Sequence, residues 1–445
     1  MDVLRPVVRP YAWGSTDAIA ELTGRPVPAP GPEAELWMGA HPGAPSGVDR
    51  DGVDRDGSDR DGRRMTLDDV IAADPDRELG RGCVARFGPR LPFLLKVLAA
   101  DHALSIQVHP SRAQAQAGFL AENERGLAPD DPARNYTDDW PKPELLYALT
   151  PFEVLAGLRP PADAAQFLRA LEVGQLTPLA VQLEAASSTQ VLAGVLGTIL
   201  SWRHSAQPAN AAQLPNAAQP TLVGDVVAAC ARLAAAGGPY SAAAAAAVRI
   251  AADHPGDLGV VASLLLRHAV LEPGQAMFMA AGGLHAYLKG TGIELLANSD
   301  NVVRAGLTGK HLDVPELLTL LDPSVEVPVL APRTLADGIA WFDTPAPEFR
   351  LYLVDLVGNT VPLPGEGPRI LLCTEGSAVL RSESGQRAEV GRGGSCFVSA
   401  ADGVVSCKGR AHLFLATSRT RRPRPLTPQN PPIHITASKT RSNHP

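Results

Sequence analysis

Residues 281–315, AGGLHAYLKGTGIELLANSDNVVRAGLTGKHLDVP, decide how the rest of the chain is read. The stretch sets a histidine (His285), a glutamate (Glu294), two amides (Asn298 and Asn301), an arginine (Arg304) and a lysine (Lys310) among small and apolar neighbours. A solvated loop does not carry that mixture. After Gly282-Gly283, His285 and Tyr287 share one face of an extended segment, because strand side chains alternate. Gly290-Thr291-Gly292 reads as a turn. Ile293 to Ala297 then resumes as a strand, with Ile293 and Leu295 on one side and Glu294 and Leu296 on the other. A carboxylate on so apolar a strand is costly to bury unless it is paired or engaged in chemistry. Ser-Asp-Asn ends the strand, and Arg304 and Lys310 bring positive charge back to the same region.

Working outward, residues 91–110, LPFLLKVLAADHALSIQVHP, give a buried strand over Pro92 to Leu98 interrupted by Lys96, a turn at Asp101-His102, and a second strand over Leu104 to His109. Ser105, Gln107 and His109 then project from one face and Ile106 and Val108 from the other. Two potential metal ligands at alternate positions of a strand can hold one ion. Ser111 to Leu127, rich in Ala, Gln and Glu, reads as a helix. In KPELLYAL, residues 142–149, the flanking prolines hold Lys142 and Glu144 extended before another apolar strand. Residues 35–42, ELWMGAHP, taken alone read as a core tryptophan followed by a turn.

The remaining stretches set the organisation. From about Pro160 to Arg267, Leu and Ala recur at helical spacing, broken by a Pro/Asn/Gln-rich loop at Ser205 to Pro220. Phe349 to Ser418 returns to short strands with turn signals, the pattern of an antiparallel sandwich or barrel. The VDRDGVDRDGSDRDGRR repeat at 48–64 has no apolar period and lacks the spacing of a calcium loop, so it reads as a solvated insertion, and the Pro- and Arg-rich end as disorder. A net charge of −7 disfavours a nucleic-acid surface. The five cysteines form no C-x-x-C pair and read as buried thiols of a reducing compartment. No uncharged apolar run reaches membrane-spanning length, so the expectation is a cytoplasmic protein without membrane partners.

Gln107, His109, Glu144 and His285 together offer an amide oxygen, two imidazoles and a carboxylate, a set that zinc accepts. An ion held there can act as a Lewis acid on a substrate carbonyl or hydroxyl.

ELWMGAHP, SIQVHP, KPELLYAL and residues 285–317 resemble the motifs of the type I phosphomannose isomerase family, zinc enzymes of the cupin class. The resemblance runs from Arg9 to about Leu318. It implies a mainly β fold of cupin (jelly-roll) β-sandwich domains plus a helical domain. The expected units are a catalytic cupin domain split between 1–159 and 268–330, a helical domain over 160–267, a C-terminal cupin-like β domain over 331–419 and a disordered tail over 420–445. It also implies one Zn2+ per chain on Gln107, His109, Glu144 and His285, and a catalytic arginine at Arg304. Two departures stand out: the family has a histidine before K-P-E where this chain has Trp140-Pro141, and a proline is common where Gly309 stands.

The activity implied is interconversion of mannose 6-phosphate and fructose 6-phosphate through an enediol, in a monomer serving mannose catabolism or GDP-mannose supply. Glu294 is the candidate base. Ser105, Lys96, Lys142 and Lys310 are the candidate substrate contacts, since local cations must overcome the negative net charge. Two other classes compete: a sugar-phosphate-binding cupin without turnover, which Trp140-Pro141 favours, and a metal-dependent cupin oxygenase, which Gln107 and the Arg304/Lys310 pair disfavour.

Overall fold

The computed structural model describes residues 1–49, 65–202 and 222–419. The Asp-rich repeat beyond Asp49, the Ser205 to Pro220 loop and the tail from 420 lie outside the described residues.

The deciding stretch forms one continuous 13-residue strand, His285–Ala297, where a turn at Gly290-Thr291-Gly292 is expected from the glycines. The glycines are needed because the strand changes partners. Its first half pairs with Phe152–Leu158 and with Gln107, and its second half with Phe93–Ala100 and Glu144–Ala148. At the crossing Gly290 takes φ +137°, and a Cβ there would sit 2.8 Å from the Phe152 backbone. Only glycine relieves both constraints.

Among the described residues there are two large antiparallel sheets. One has the order Val329–Leu330, Ala276–Met279, Glu144–Ala148, His285–Ala297, Phe93–Ala100, Glu35–Met38, Val7–Arg9, with Phe152–Leu158, Leu266–Leu271, Gln107–Val108 and Val303–Arg304 extending it. The other is built on three long strands, Arg350–Pro362, Arg369–Ser382 and Val405–Thr417, rather than the short strands expected from the turn signals. That sheet also takes in Asp2–Arg5 and Gly47–Asp49 from the start of the chain. Local periodicity carries no information about so distant a partner.

Alternation along Phe93–Ala100 explains how the sheets stack. Phe93, Leu95 and Val97 join Leu145, Ile293 and Leu295 in a core shared with Leu351, Ile370, Leu372, Phe397 and Phe414 of the second sheet. Lys96 therefore points to the opposite face. The helices Pro161–Ala170, Thr177–Glu184, Val191–Leu200, Leu222–Ala236, Ser241–Asp253 and Gly259–Ser263 lie between the strands Phe152–Leu158 and Leu266–Leu271. They bury their apolar faces against Ile106, Val108, Leu284, Ala286 and Val303 in one continuous cluster. The helix Arg112–Glu124 starts at a capping box in which Ser111 Oγ accepts from Gln114 N and Ser111 N donates to Gln114 Oε1. No helix among the described residues is long and apolar enough to cross a membrane. All five cysteines are buried and free, and burial pushes the thiols of Cys373 up to about 11 and of Cys396 and Cys407 up to about 12.

Candidate active site

Sheet register brings the separated motifs together. Glu294 lies opposite Lys96 on one neighbour, Leu296 lies opposite Glu144 on the other, and Gln107 is opposite both His285 and Arg304. The strand expected over Leu104 to His109 is reduced to Gln107–Val108, because only this pair finds partners in His285 and Val303–Arg304. Ile106 and Val108 are nevertheless buried on the helical side, so Gln107 still faces the site.

His109, Glu144 and His285 converge, with candidate ligand atoms within 4.8 Å of one another and all three residues buried. His109 Nε2 is 3.2 Å from Glu144 Oε1, and His285 Nε2 is 3.3 Å from Glu144 Oε2. The far nitrogen of each ring fixes the tautomer. His109 Nδ1 lies 2.9 Å from the Asn301 carbonyl and His285 Nδ1 3.2 Å from the Gly283 carbonyl. A carbonyl only accepts, so both Nδ1 atoms carry the proton and, in the neutral ring, both Nε2 lone pairs face the carboxylate. Burial pushes the His109 imidazole down to about 4, which keeps it neutral at ordinary pH, and its Nε2 has no hydrogen-bond partner among the described residues. Burial would raise the Glu144 carboxyl, but the Lys142 ammonium 3.2 Å away works against it, and the carboxyl lies below the usual carboxylate range. The Gln107 amide stands 3.3 Å from His285 Nε2, and a half-turn of the amide presents its oxygen instead. Lone pairs facing a carboxylate with no proton between them are satisfied by a cation, so the residues fit a divalent metal.

Above this group opens a cleft of about 880 Å³. Its wall includes Gln107 and Glu144, the candidate base Glu294, Arg304, and the four candidate substrate contacts Lys96, Ser105, Lys142 and Lys310. These four differ in surroundings. Lys96 is buried, its ammonium 3.2 Å from Glu294 and 3.5 Å from Glu35. Burial would lower the Lys96 ammonium, but Glu35, Glu294 and Glu144 hold it above the ordinary lysine range. Lys142 Nζ sits 3.2 Å from Glu144. Arg304 and Lys310 make no side-chain hydrogen bond or ion pair among the described residues; burial lowers both, and Arg304 lowers Lys310 further. Glu294 is raised, by burial first and then, against the Lys96 charge, by Glu144 and Glu35. The Tyr287 hydroxyl donates to Glu144 Oε2 at 3.4 Å.

Sequence reasoning assigned no site role to Glu35, Trp37, His41, Tyr287 or Asp300. Trp37 is buried, as a core tryptophan would be, yet it lines the cleft, donates from Nε1 to Glu35 and lies under the Lys96 ammonium at 4.7 Å. His41 Nε2 is 3.2 Å from Asp300. Burial would raise the Asp300 carboxyl, but the His41 hydrogen bond and the nearby Lys142 and Lys96 bring it down to about 2. The clue was the acidic and aromatic composition of ELWMGAHP, which a purely structural strand does not need.

Residues 1–161 match the family description "Phosphomannose isomerase type I, catalytic domain". The chain is 35% identical to a mannose-6-phosphate isomerase of Salmonella typhimurium, over 91% of this chain and 96% of that protein. It is 31% identical to one of Homo sapiens, over 89% and 93%. A crystal structure of mannose 6-phosphate isomerase bound with zinc and yttrium superposes with a TM-score of 0.79 at 33% identity, covering 94% of this chain and 99% of that one. With coverage near full length on both sides, the chain belongs to the type I phosphomannose isomerase family.

Proposed function

We propose that the cleft interconverts mannose 6-phosphate and fructose 6-phosphate, with one zinc ion held by Gln107, His109, Glu144 and His285. The observation that carries this reading is the pair of imidazole Nε2 atoms flanking the buried Glu144 at 3.2 and 3.3 Å, each ring oriented by a backbone carbonyl, at the base of a cleft whose wall carries two cations, Arg304 and Lys310, that form no ion pair among the described residues. When bound, the ion supplies Lewis acidity at the sugar's carbonyl and hydroxyl oxygens.

The chain's own residues account for the rest. Glu294, with its carboxyl raised by burial, takes the C2 proton of the open-chain aldose and returns it to C1 while the O2 hydroxyl proton passes to O1, so C2 is oxidised as C1 is reduced without an external oxidant. Lys96 keeps a positive charge between Glu35 and Glu294 and limits repulsion among the three carboxylates around it. Arg304, permanently charged and planar, holds the developing enediolate or the phosphate, and Lys310 and Ser105 complete the phosphate end. Lys142 steadies Glu144 and reaches the sugar. The same reading divides the chain into a catalytic cupin domain (1–159 and 268–330), a helical domain (160–267) and a C-terminal cupin-like domain (331–419), acting as a cytoplasmic monomer. A coupled assay following fructose 6-phosphate made from mannose 6-phosphate tests the activity. Saturable turnover supports it, and substrate binding without turnover would leave only the binding-protein reading.

A further inference from the structure

The helix Ser241–Asp253 ends in a turn, residues 254–257, that reaches both lips of the cleft. On one side Asp253 Oδ1 lies 2.9 Å from His102 Nδ1, and His254 Nε2 donates to the Ala103 carbonyl at 3.1 Å. On the other side Asp257 accepts twice, from Gly259 N at 2.7 Å through Oδ1 and from Thr308 N at 3.3 Å through Oδ2. The two backbones touch there. A Cβ on Gly306 would lie 2.6 Å from Gly259 Cα, and one on Gly259 would lie 2.6 Å from Leu307 N.

The loop bends sharply to make this contact. Gly306 has φ +119° and Leu307 φ +57°, and a branched side chain in the left-handed region persists only where its surroundings hold it. Leu307 is buried in the helical core, and Gly306 O accepts from Ile106 N at 3.2 Å. Thr308 Oγ1 then accepts from Lys310 N at 3.1 Å, which fixes where Lys310 leaves the turn. Arg304, fixed on the strand Val303–Arg304, and Lys310, on the loop after it, both line the cleft and feel each other's charge, and a free loop would carry Lys310 away from its like-charged neighbour. An anion meets them as a pair only if the loop is held before it arrives.

We propose that Asp257 is a positioning residue whose carboxylate locks the 306–310 loop, so that Arg304 and Lys310 present one anion-binding face to the substrate phosphate. This rests on the reading of those two cations as phosphate contacts. The helical segment thereby shapes substrate affinity without touching the reacting carbons.

The test uses the full-length, metal-loaded enzyme. In Asp257→Asn the Gly259 acceptor is kept while an amide N–H can be turned on Thr308 N. The KM for mannose 6-phosphate and the competitive inhibition constant of inorganic phosphate should both rise about tenfold, with kcat changed by no more than about twofold. Metal content and the thermal midpoint should stay those of the parent, which separates positioning from a general loss of structure. Combined with Lys310→Ala, Asp257→Asn should add little, since both act on one binding element. An unchanged phosphate inhibition constant in Asp257→Asn, with a weakened one in Lys310→Ala, overturns the bracing role alone. An unchanged constant in Lys310→Ala overturns the phosphate reading beneath it. If Asp257→Asn yields too little folded protein, Asp257→Glu keeps the negative charge but moves the carboxylate out of register with Thr308 N. It should raise the phosphate constant about threefold, and no rise contradicts the proposal.

Discussion

On the strand Arg369–Ser382 the residues that turn away from the partner sheet are Leu371, Cys373, Ala378 and Leu380, and they join a core of other aliphatic, aromatic and thiol side chains. At the corresponding face of Phe93–Ala100 and His285–Ala297 stand Lys96, His285, Tyr287 and Glu294, all buried. Both sheets are antiparallel and stack on each other through one shared apolar core. Burying charges without partners is costly, and here each carboxylate has a lysine or an imidazole against it. One sheet spends stability on a preorganised polar face while the other supplies it. Substitutions should therefore divide into those that remove chemistry and those that remove stability.

The largest effect is expected at the metal group. His285→Ala should take away both bound zinc and isomerase activity, because it deletes a proposed ligand and leaves Glu144 buried against a single imidazole. Full activity with normal zinc content in that variant would break the comparison at its root. Glu294→Gln should lower turnover by about 10²- to 10⁴-fold while zinc stays bound, as expected when a general base is removed. Exchange of the C2 proton with solvent at the parental rate would exclude Glu294 as the base. Arg304→Ala should cost roughly 10²- to 10³-fold in kcat with zinc retained, the scale of losing one preorganised donor to a developing charge. Near-normal turnover would remove its catalytic role. In the second sheet, Leu371→Ala should cost about 3 kcal/mol of stability in urea unfolding yet leave kcat/KM of the folded enzyme unchanged. A large loss of kcat/KM there would show that the two sheets do not divide their tasks in this way.

The residues that meet at the site were legible because each sits in a local pattern that alternation explains. His285 and Glu294 share an apolar strand with neighbours that fix which way they point, and KPELLYAL announces Glu144 at the mouth of another. What stayed hidden depended on partners far along the chain. The Gly290 segment resembles a turn until Phe152 is seen against it. Nothing near Asp2–Arg5 says that its partner is Ser395–Val398, and nothing near Trp37 says that Lys96 lies over its ring. The carbonyl of Asn301 on His109 is a backbone contribution, which side-chain chemistry read from letters does not reveal.

The most direct measurement strips the purified enzyme with a chelator and returns zinc stepwise, following bound metal and fructose 6-phosphate formation in the same sample. Activity should vanish on stripping and return in proportion to zinc, reaching its full value at one ion per chain. Undiminished turnover in metal-free enzyme, or saturation with zinc that restores no activity, would contradict a metal-centred isomerase site at His109, Glu144 and His285.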